Sequence, residues 1–187
     1  MTCLNCTEGS GGDACMNCET DTGKCIKCTA GNGLDTTTGN CSQCTTGSFS
    51  TGSSPCKSCT MGSGGSLCMG CIISSGVCIQ CSSGNGLNSS NACSACTGNT
   101  FSNGLTDCLP GPENCSTCDH SISQCTKCSP TFSLDLETKT CSACTHNTYS
   151  NDGLTCHSGP LNCVECDHLT GKCTQCSTGF GVNLLTG

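Results

Sequence analysis

The sequence has no arginine, no tryptophan and only one tyrosine among its 187 residues. Six lysines face thirteen acidic residues, which gives a net charge of -7. Nucleic-acid binding needs a basic surface, usually one that carries arginine, so that class of function is excluded. No apolar run approaches the about 20 residues of a membrane-spanning helix, and we therefore predict no membrane contact within this segment. The first residues also lack the pattern of a signal peptide.

Ordinary core residues are equally scarce. Hydrophobic residues make up 34% of the chain, but 28 of them are cysteines. The five aromatic residues fall on only two positions of an internal repeat: Phe49, Phe101 and Tyr149 on one, Phe132 and Phe180 on the other. A chain of this length normally buries a Leu/Ile/Val/Phe core to offset its conformational entropy. Because this chain lacks such a core, cross-links must replace it, and a single compact domain is excluded.

What the sequence does contain is cysteine in a tandem repeat. Thirteen C-x-x-C pairs recur with a regular spacing. Equivalent cysteines stand at Cys3, Cys56, Cys108 and Cys156, which divides the chain into repeats 1–55, 56–107, 108–155 (with a variant opening) and 156–187 (partial). The finger that opens at Cys176 is expected to close beyond Gly187, so we interpret the sequence as part of a longer array.

C-x-x-C pairs build zinc sites as well as disulfides. Zinc would need deprotonated thiols, and six lysines cannot neutralise so many thiolates. The segments between the pairs are rich in Gly, Ser, Thr and Asn, which suits turns in looped fingers. We therefore predict disulfides, no cofactor, and an extracellular or cell-surface location, with an intracellular zinc protein as the less favoured alternative.

Spacing does not by itself determine disulfide connectivity, but a simple scheme can be tested. Short segments with a Gly or Asn turn suit hairpins closed by one disulfide each. The predicted pairs are Cys28–Cys41, Cys81–Cys93, Cys128–Cys141, Cys44–Cys56, Cys96–Cys108 and Cys144–Cys156. In each of the first two repeats four cysteines remain, and we expect them to pair first to third and second to fourth.

The later repeats each retain an odd number of cysteines. Their openings, CLPGPENC and CHSGPLNC, lack the counterpart of Cys59. The cysteines left over are Cys115, Cys118 and Cys125, and again Cys163, Cys166 and Cys173. One of each three is predicted to bond to another repeat or another chain, unless the pairing scheme is displaced by one step.

Four N-glycosylation sequons occur, at Asn5, Asn40, Asn88 and Asn114. Three of them have cysteine at the middle position, where a disulfide would hinder modification. Asn88 is therefore the strongest candidate, although chance occurrence in so Ser/Thr/Asn-rich a chain is an equal alternative.

Two motifs carry a family resemblance. NCSTCDHSISQCTKCSPTFSLDLETKTCSAC resembles the furin-like, growth-factor-receptor cysteine-rich repeat, while CTTGSFSTGSSPCKSC and CTGNTFSNGLTDC resemble the ephrin-receptor-like (GCC-type) module. Their alternation is similar to long cysteine-rich surface proteins of protists. The aromatic residue of the furin-like finger is replaced by Asn32 and Asn85, and its glycine by Thr131. The calcium signature of EGF modules is absent, so the resemblance implies no calcium site.

No catalytic constellation stands out, and we predict that the protein is not an enzyme. A thioredoxin-type C-x-x-C needs one reactive pair in a βαβ frame, whereas here the pairs are many and no such frame exists. Asp-His occurs twice, ending at His120 and His168. This pair is compatible with metal binding or pH sensing, but a solvated turn is the simpler interpretation.

The sequence thus predicts a small disulfide-rich fold: an elongated tandem array of short β-hairpin fingers with almost no helix and no hydrophobic core. The favoured function is a structural rod that self-associates into a coat or filament, with the sequons as candidate sites for glycans. The alternative is a ligand-binding receptor ectodomain. Binding surfaces usually carry Tyr, Trp and Arg anchors, which this chain almost lacks.

Overall fold

The computed structural model describes residues 5–183, which form ten antiparallel two-stranded hairpins and contain no α-helix. Helical structure in this part of the chain is limited to four 3-10 turns: Cys6–Glu8, Gly12–Ala14, Cys59–Met61 and Gly65–Leu67. The predicted class of small disulfide-rich hairpin repeats is therefore confirmed.

The hairpins are of three types that recur in order along the chain. The A-type hairpins pair β1 (Cys15–Cys18) with β2 (Cys25–Cys28), β7 (Cys68–Cys71) with β8 (Cys78–Cys81), β13 (Cys115–Cys118) with β14 (Cys125–Cys128), and β19 (Cys163–Cys166) with β20 (Cys173–Cys176). The B-type hairpins pair β3 (Asn32–Leu34) with β4 (Cys41–Gln43), β9 (Asn85–Leu87) with β10 (Cys93–Ala95), and β15 (Phe132–Leu134) with β16 (Cys141–Ala143). The C-type hairpins pair β5 (Ser48–Phe49) with β6 (Lys57–Ser58), β11 (Thr100–Phe101) with β12 (Leu109–Pro110), and β17 (Thr148–Tyr149) with β18 (His157–Ser158).

The chain forms two compact units. The first comprises the described residues up to Ala95 together with Asn103–Asp107, and the second comprises Cys96–Ser102 together with the described residues from Cys108 onward. Strands β1 to β10 lie in the first unit and β11 to β20 in the second. The repeat boundaries drawn from the sequence at 55/56, 107/108 and 155/156 fall inside the C-type hairpins.

Cystines take the place of an apolar core. Each repeat has its own buried cluster: Cys15, Cys25, Cys28 and Leu34; Cys59, Cys68 and Cys78; Cys115, Cys118, Cys125, Cys128 and Leu134; Cys163, Cys166 and Cys173. Within these clusters neighbouring disulfides lie in contact, as in the 3.6 Å approach of Cys25 Sγ to Cys41 Sγ. Short two-stranded hairpins are at best marginally stable alone. The disulfides therefore supply the stability that sheet size does not.

Aspartates shape several of the loops. Asp35 Oδ1 accepts the N–H groups of Thr37 and Thr38 at 2.8 and 3.2 Å, and Asp152 Oδ1 accepts those of Leu154 and Thr155 at 2.8 and 3.3 Å. These are turns in which a carboxylate replaces a backbone acceptor. The hydrogen bond from Leu154, followed by those from Thr155, Ser150 and His157, lowers the pKa of Asp152 to about 2.

Acid is expected to loosen this loop. A carboxyl whose pKa falls on folding stabilises the folded loop above its unfolded pKa near 3.8, and that contribution disappears as the pH falls through about 2. Amide exchange at Leu154 and Thr155, with intrinsic rates divided out, should therefore accelerate below pH 3. Asp152→Asn should remove the pH dependence, and an unchanged profile in that variant would contradict this assignment.

Candidate functional site

The cysteine framework is the feature that recurs most regularly along this chain. The structure joins all six pairs proposed from the sequence: Cys28–Cys41, Cys81–Cys93, Cys128–Cys141, Cys44–Cys56, Cys96–Cys108 and Cys144–Cys156. It also joins the remaining cysteines of the first two repeats first to third and second to fourth, as Cys6–Cys18, Cys15–Cys25, Cys59–Cys71 and Cys68–Cys78. The partners are 10 to 13 residues apart in sequence, so each bond closes a local loop.

In the later repeats the structure shows which cysteine of each group of three has no partner. Four of the six candidates close their own A-type hairpins, as Cys115–Cys125 and Cys163–Cys173, and are therefore not available for bonds between repeats or chains. The unpaired ones are Cys118 and Cys166, only 3% and 4% exposed. Cys176 is a third unpaired thiol among the described residues.

A glycine occupies the place of the missing partner in each later repeat. Gly111 and Gly159 follow Cys108 and Cys156 at the distance at which Cys59 follows Cys56. A Cβ atom built on Gly111 would lie 3.1 Å from Cys118 Sγ, and one on Gly159 would lie 3.3 Å from Cys166 Sγ. These separations suit the two ends of a disulfide. The later repeats have thus lost one half of a cystine while keeping its backbone geometry.

An asparagine fills the space that the lost cysteine leaves. Asn99 and Asn147 stand where the first repeat has Gly47, and each backbone carbonyl accepts an N–H from the Cys59-equivalent position at 2.8 Å. Asn99 Nδ2 donates to the Pro112 carbonyl at 2.9 Å, and its buried Oδ1 has no hydrogen-bond partner. Gly47 with Cys59 is thus exchanged for Asn99 with Gly111. An alignment of the repeats contains this exchange, but it was not among the predictions made from the sequence.

Burial makes both thiols poor nucleophiles. Desolvation raises the pKa of Cys118 and of Cys166, and nearby carboxylates, Asp119 for Cys118 and Asp167 for Cys166, raise them further. The Cys118 thiol lies 3.3 Å from the Thr100 carbonyl oxygen, to which it donates. Because the reactive species is the thiolate, neither group resembles the exposed, low-pKa thiol of a redox enzyme.

The repeated Asp-His elements are held by backbone contacts. Nδ1 of His120 lies 2.7 Å from the Thr100 carbonyl oxygen, and Nδ1 of His168 lies 2.8 Å from that of Thr148. Asp119 and Asp167 accept N–H groups of the turns that follow them. Among the described residues, the groups close enough to share a metal ion contain only cysteines, such as Cys25, Cys28 and Cys41. All of these sulfurs are in disulfides, whereas zinc needs thiolates.

A buried serine joins each C-type hairpin to the A-type hairpin that follows it. Ser50, Ser102 and Ser150 are almost inaccessible, and each donates its N–H to a carbonyl of the next A-type turn at 2.9 to 3.0 Å. The aromatic residue before each serine is half-buried on the same turn. Phe49 lies against Gly76, and Tyr149 against Gly171. The aromatic rings therefore serve as joints between hairpins, not as exposed binding anchors.

A glycine two or three residues after the serine contacts the A-type hairpin that precedes the C-type hairpin. The Gly52 carbonyl accepts the Cys28 N–H at 2.8 Å, and the contact recurs at Gly104 with Cys81 and at Gly153 with Cys128. Gly52 has φ +94°, and a Cβ there would overlap the Cys28 carbonyl. Only glycine tolerates both the left-handed backbone and so close an approach.

The variant Gly52→Ala is therefore expected to be strongly destabilising. The matched control is Gly47→Ala, because Gly47 has φ +81° but open space around its Cβ position. We expect the control to lose about 1–2 kcal/mol from backbone strain and Gly52→Ala to lose about 1–3 kcal/mol more from overlap. Denaturant unfolding of the oxidised chain measures both, and equal losses would mean that the close approach costs nothing.

The sequons differ in their surroundings as expected. Cys6, Cys41 and Cys115, the middle residues after Asn5, Asn40 and Asn114, are all disulfide-bonded. Asn88 has no cystine beside it and is half-exposed, with Oδ1 accepting the N–H groups of Ser90 and Ala92. Asn88 remains the strongest glycosylation candidate.

The described residues include no helix with the length and apolar character needed to cross a membrane. Comparison with protein families, with curated proteins and with solved structures finds no match to this chain. The chain is a tandem array of disulfide-rich hairpins. So many disulfide bonds are typical of proteins that mature in an oxidising compartment.

Proposed function

We propose that the chain is a non-enzymatic, extracellular structural protein that forms part of a cell-surface coat or filament. The observation that carries this proposal is the distribution of disulfides, because every repeat encloses a cystine cluster of its own. Three further disulfides, Cys44–Cys56, Cys96–Cys108 and Cys144–Cys156, link each repeat to the next. Such units are stable through local cross-links and can be added in series without a shared domain core. The furin-like and GCC-type resemblance of the motifs supports the same class of surface protein.

A ligand-binding receptor ectodomain is less well supported. Phe49, Phe101 and Tyr149 are half-buried at the joints between hairpins, which leaves them little area for a partner. The His and Asp side chains that suggested a metal or pH-sensing site serve turns and backbone carbonyls. Neither feature offers the clustered anchors of a binding hot spot.

The proposal is tested by intact mass of the native chain after thiol alkylation, with and without prior reduction. Alkylation without reduction should reach only the unpaired cysteines, and only slowly at Cys118 and Cys166. Reduction should make every cysteine reactive, and native mass should show no bound zinc. Rapid alkylation of paired positions such as Cys28, or retained zinc, would move the protein to the intracellular metal-binding class.

A further inference from the structure

One part of this acidic chain carries no charge at all. From Ser58 to Thr106 there is no Asp, Glu, Lys, Arg or His, so all six lysines and all thirteen acidic residues lie outside this stretch. The stretch contains the A-type hairpin β7–β8. In a chain of net charge -7, this stretch therefore presents no charged side chain that would repel a second acidic molecule.

The equivalent hairpins of the other repeats are all charged. The charged residues are Glu19, Asp21, Lys24 and Lys27 in β1–β2, Asp119 and Lys127 in β13–β14, and Glu165, Asp167 and Lys172 in β19–β20. Charged side chains on short exposed strands are a common protection against pairing with another chain. Among the four A-type hairpins, only β7–β8 lacks this protection.

The same hairpin exposes large apolar side chains. Cys68 and Cys78 bond to each other in the buried cluster, and because successive strand residues point to opposite faces, Met69 and Ile79 point outward. Met69 is 65% and Ile79 50% exposed, and Ile72 and Ile73 of the turn are also exposed. The first repeat also exposes a methionine and an isoleucine, Met16 and Ile26, at these positions, but its hairpin is charged. The later repeats have Ser116 with Thr126 and Val164 with Thr174 there. We call Met69, Ile72, Ile73 and Ile79 the neutral patch.

An open groove adjoins the neutral patch. It has a volume of about 630 Å³, and its lining includes Ile73, Ile79, Gln43, Thr45, Ser48 and Gln80. The groove is therefore also free of charge, and its amide and hydroxyl groups are able to donate and accept hydrogen bonds. The patch and the groove together form one surface with both protruding and recessed parts.

We propose that the neutral patch is the contact between two copies of this chain. The proposal rests on the self-association that forms part of the proposed function, and it names the surface responsible. In a two-fold contact a patch meets its own copy, so a patch with a net charge repels itself. A patch without charged side chains avoids this repulsion between two acidic chains. A partner chosen for an acidic protein would instead carry basic residues that face its charged parts.

The test is sedimentation equilibrium of the oxidised chain over a range of concentrations, with Ile79→Lys as the variant. Its matched control is Ile26→Lys, since Ile26 occupies the same position of the β1–β2 hairpin and is also 50% exposed. We expect the wild type to dimerise, Ile79→Lys to weaken the dimer by at least about tenfold, and Ile26→Lys to leave it unchanged. Intact mass confirms that both variants retain all their disulfides.

Salt provides an independent readout. Because the contact is uncharged and the rest of the chain is acidic, raising the ionic strength from about 0.01 to 0.15 M should screen repulsion and strengthen the dimer. A contact made by ion pairs would weaken instead. Non-reducing electrophoresis separates this dimer from any species cross-linked through Cys118 or Cys166.

Each contrary outcome has a distinct meaning. A wild-type chain that stays monomeric would contradict the proposal that the neutral patch binds a second copy. The patch would then be a candidate site for a different protein. Assembly that is insensitive to Ile79→Lys, or equally sensitive to Ile26→Lys, overturns the assigned surface while the proposed coat or filament stands. Failure of the proposed function itself appears separately, as paired cysteines such as Cys28 that react with alkylating reagent without reduction.

Discussion

Complete reduction of the disulfides is expected to unfold this chain at 25 °C, whereas the oxidised chain should withstand heating and proteases. The reason is the composition of the buried clusters, in which cysteines outnumber all other residues and Leu34 and Leu134 are the only buried non-cysteine hydrophobic side chains among the described residues. Each disulfide closes a loop of 10 to 13 residues, which contributes about 3 kcal/mol in the chain-entropy treatment.

Amide spectra of the oxidised chain and of the reduced, alkylated chain measure this effect directly. The oxidised chain should show dispersed signals, and the reduced chain should collapse to the narrow range of an unfolded polypeptide. Oxidised protein carried through the same alkylation step serves as the control. Retention of dispersed signals after full reduction would contradict the view that cystines form the core.

Restoring the lost cystine of the third repeat should stabilise that repeat. The double variant Asn99→Gly with Gly111→Cys reproduces the arrangement of Gly47 and Cys59. Both changes are needed, because a Cβ at residue 111 would overlap the Asn99 Oδ1 atom. We expect residue 111 to bond to Cys118, whose Sγ lies 3.1 Å from the position of the new Cβ. Closing so short a loop is expected to contribute about 2–3 kcal/mol.

Two measurements check this result: the loss of the Cys118 thiol in peptide mapping after alkylation, and a higher denaturant midpoint. Asn99→Gly alone is the control for the loss of the hydrogen bond to Pro112. The equivalent double variant, Asn147→Gly with Gly159→Cys, should capture Cys166 in the same way. If Cys118 stays alkylatable in the double variant, the glycine is not the site of the missing partner.

Local spacing predicted the disulfide pairs of the first two repeats and of the B- and C-type hairpins, but not the A-type pairs Cys115–Cys125 and Cys163–Cys173. Cysteines such as Cys28 and Cys41 are separated by a single turn, so the short loop between them favours their encounter over any distant pairing. The amino-acid composition showed that other core residues are scarce, and it therefore predicted a core made of cystines. It also identified the loss of one cysteine in each later repeat, because that loss is a matter of counting.

Contacts between successive hairpins were not predictable in this way. Which of Cys115, Cys118 and Cys125 stays unpaired does not follow from the strand register, because the register places Cys118 opposite Cys125. The disulfide instead joins Cys115 to Cys125 within the buried cluster. A serine follows the aromatic residue of each C-type hairpin, as Ser50 follows Phe49. Only the folded chain shows that this serine is buried between two hairpins.

The sequence by itself therefore determined the class of fold and most of its local cross-links, because both depend on composition or on residues a few positions apart. The tertiary structure alone decided what lies between the hairpins: the buried thiols, the serine joints, the glycine at Gly52 and the outward direction of Met69 and Ile79. These depend on how one hairpin packs on the next. Packing is set by shape and by burial in three dimensions, which no spacing along a chain encodes directly.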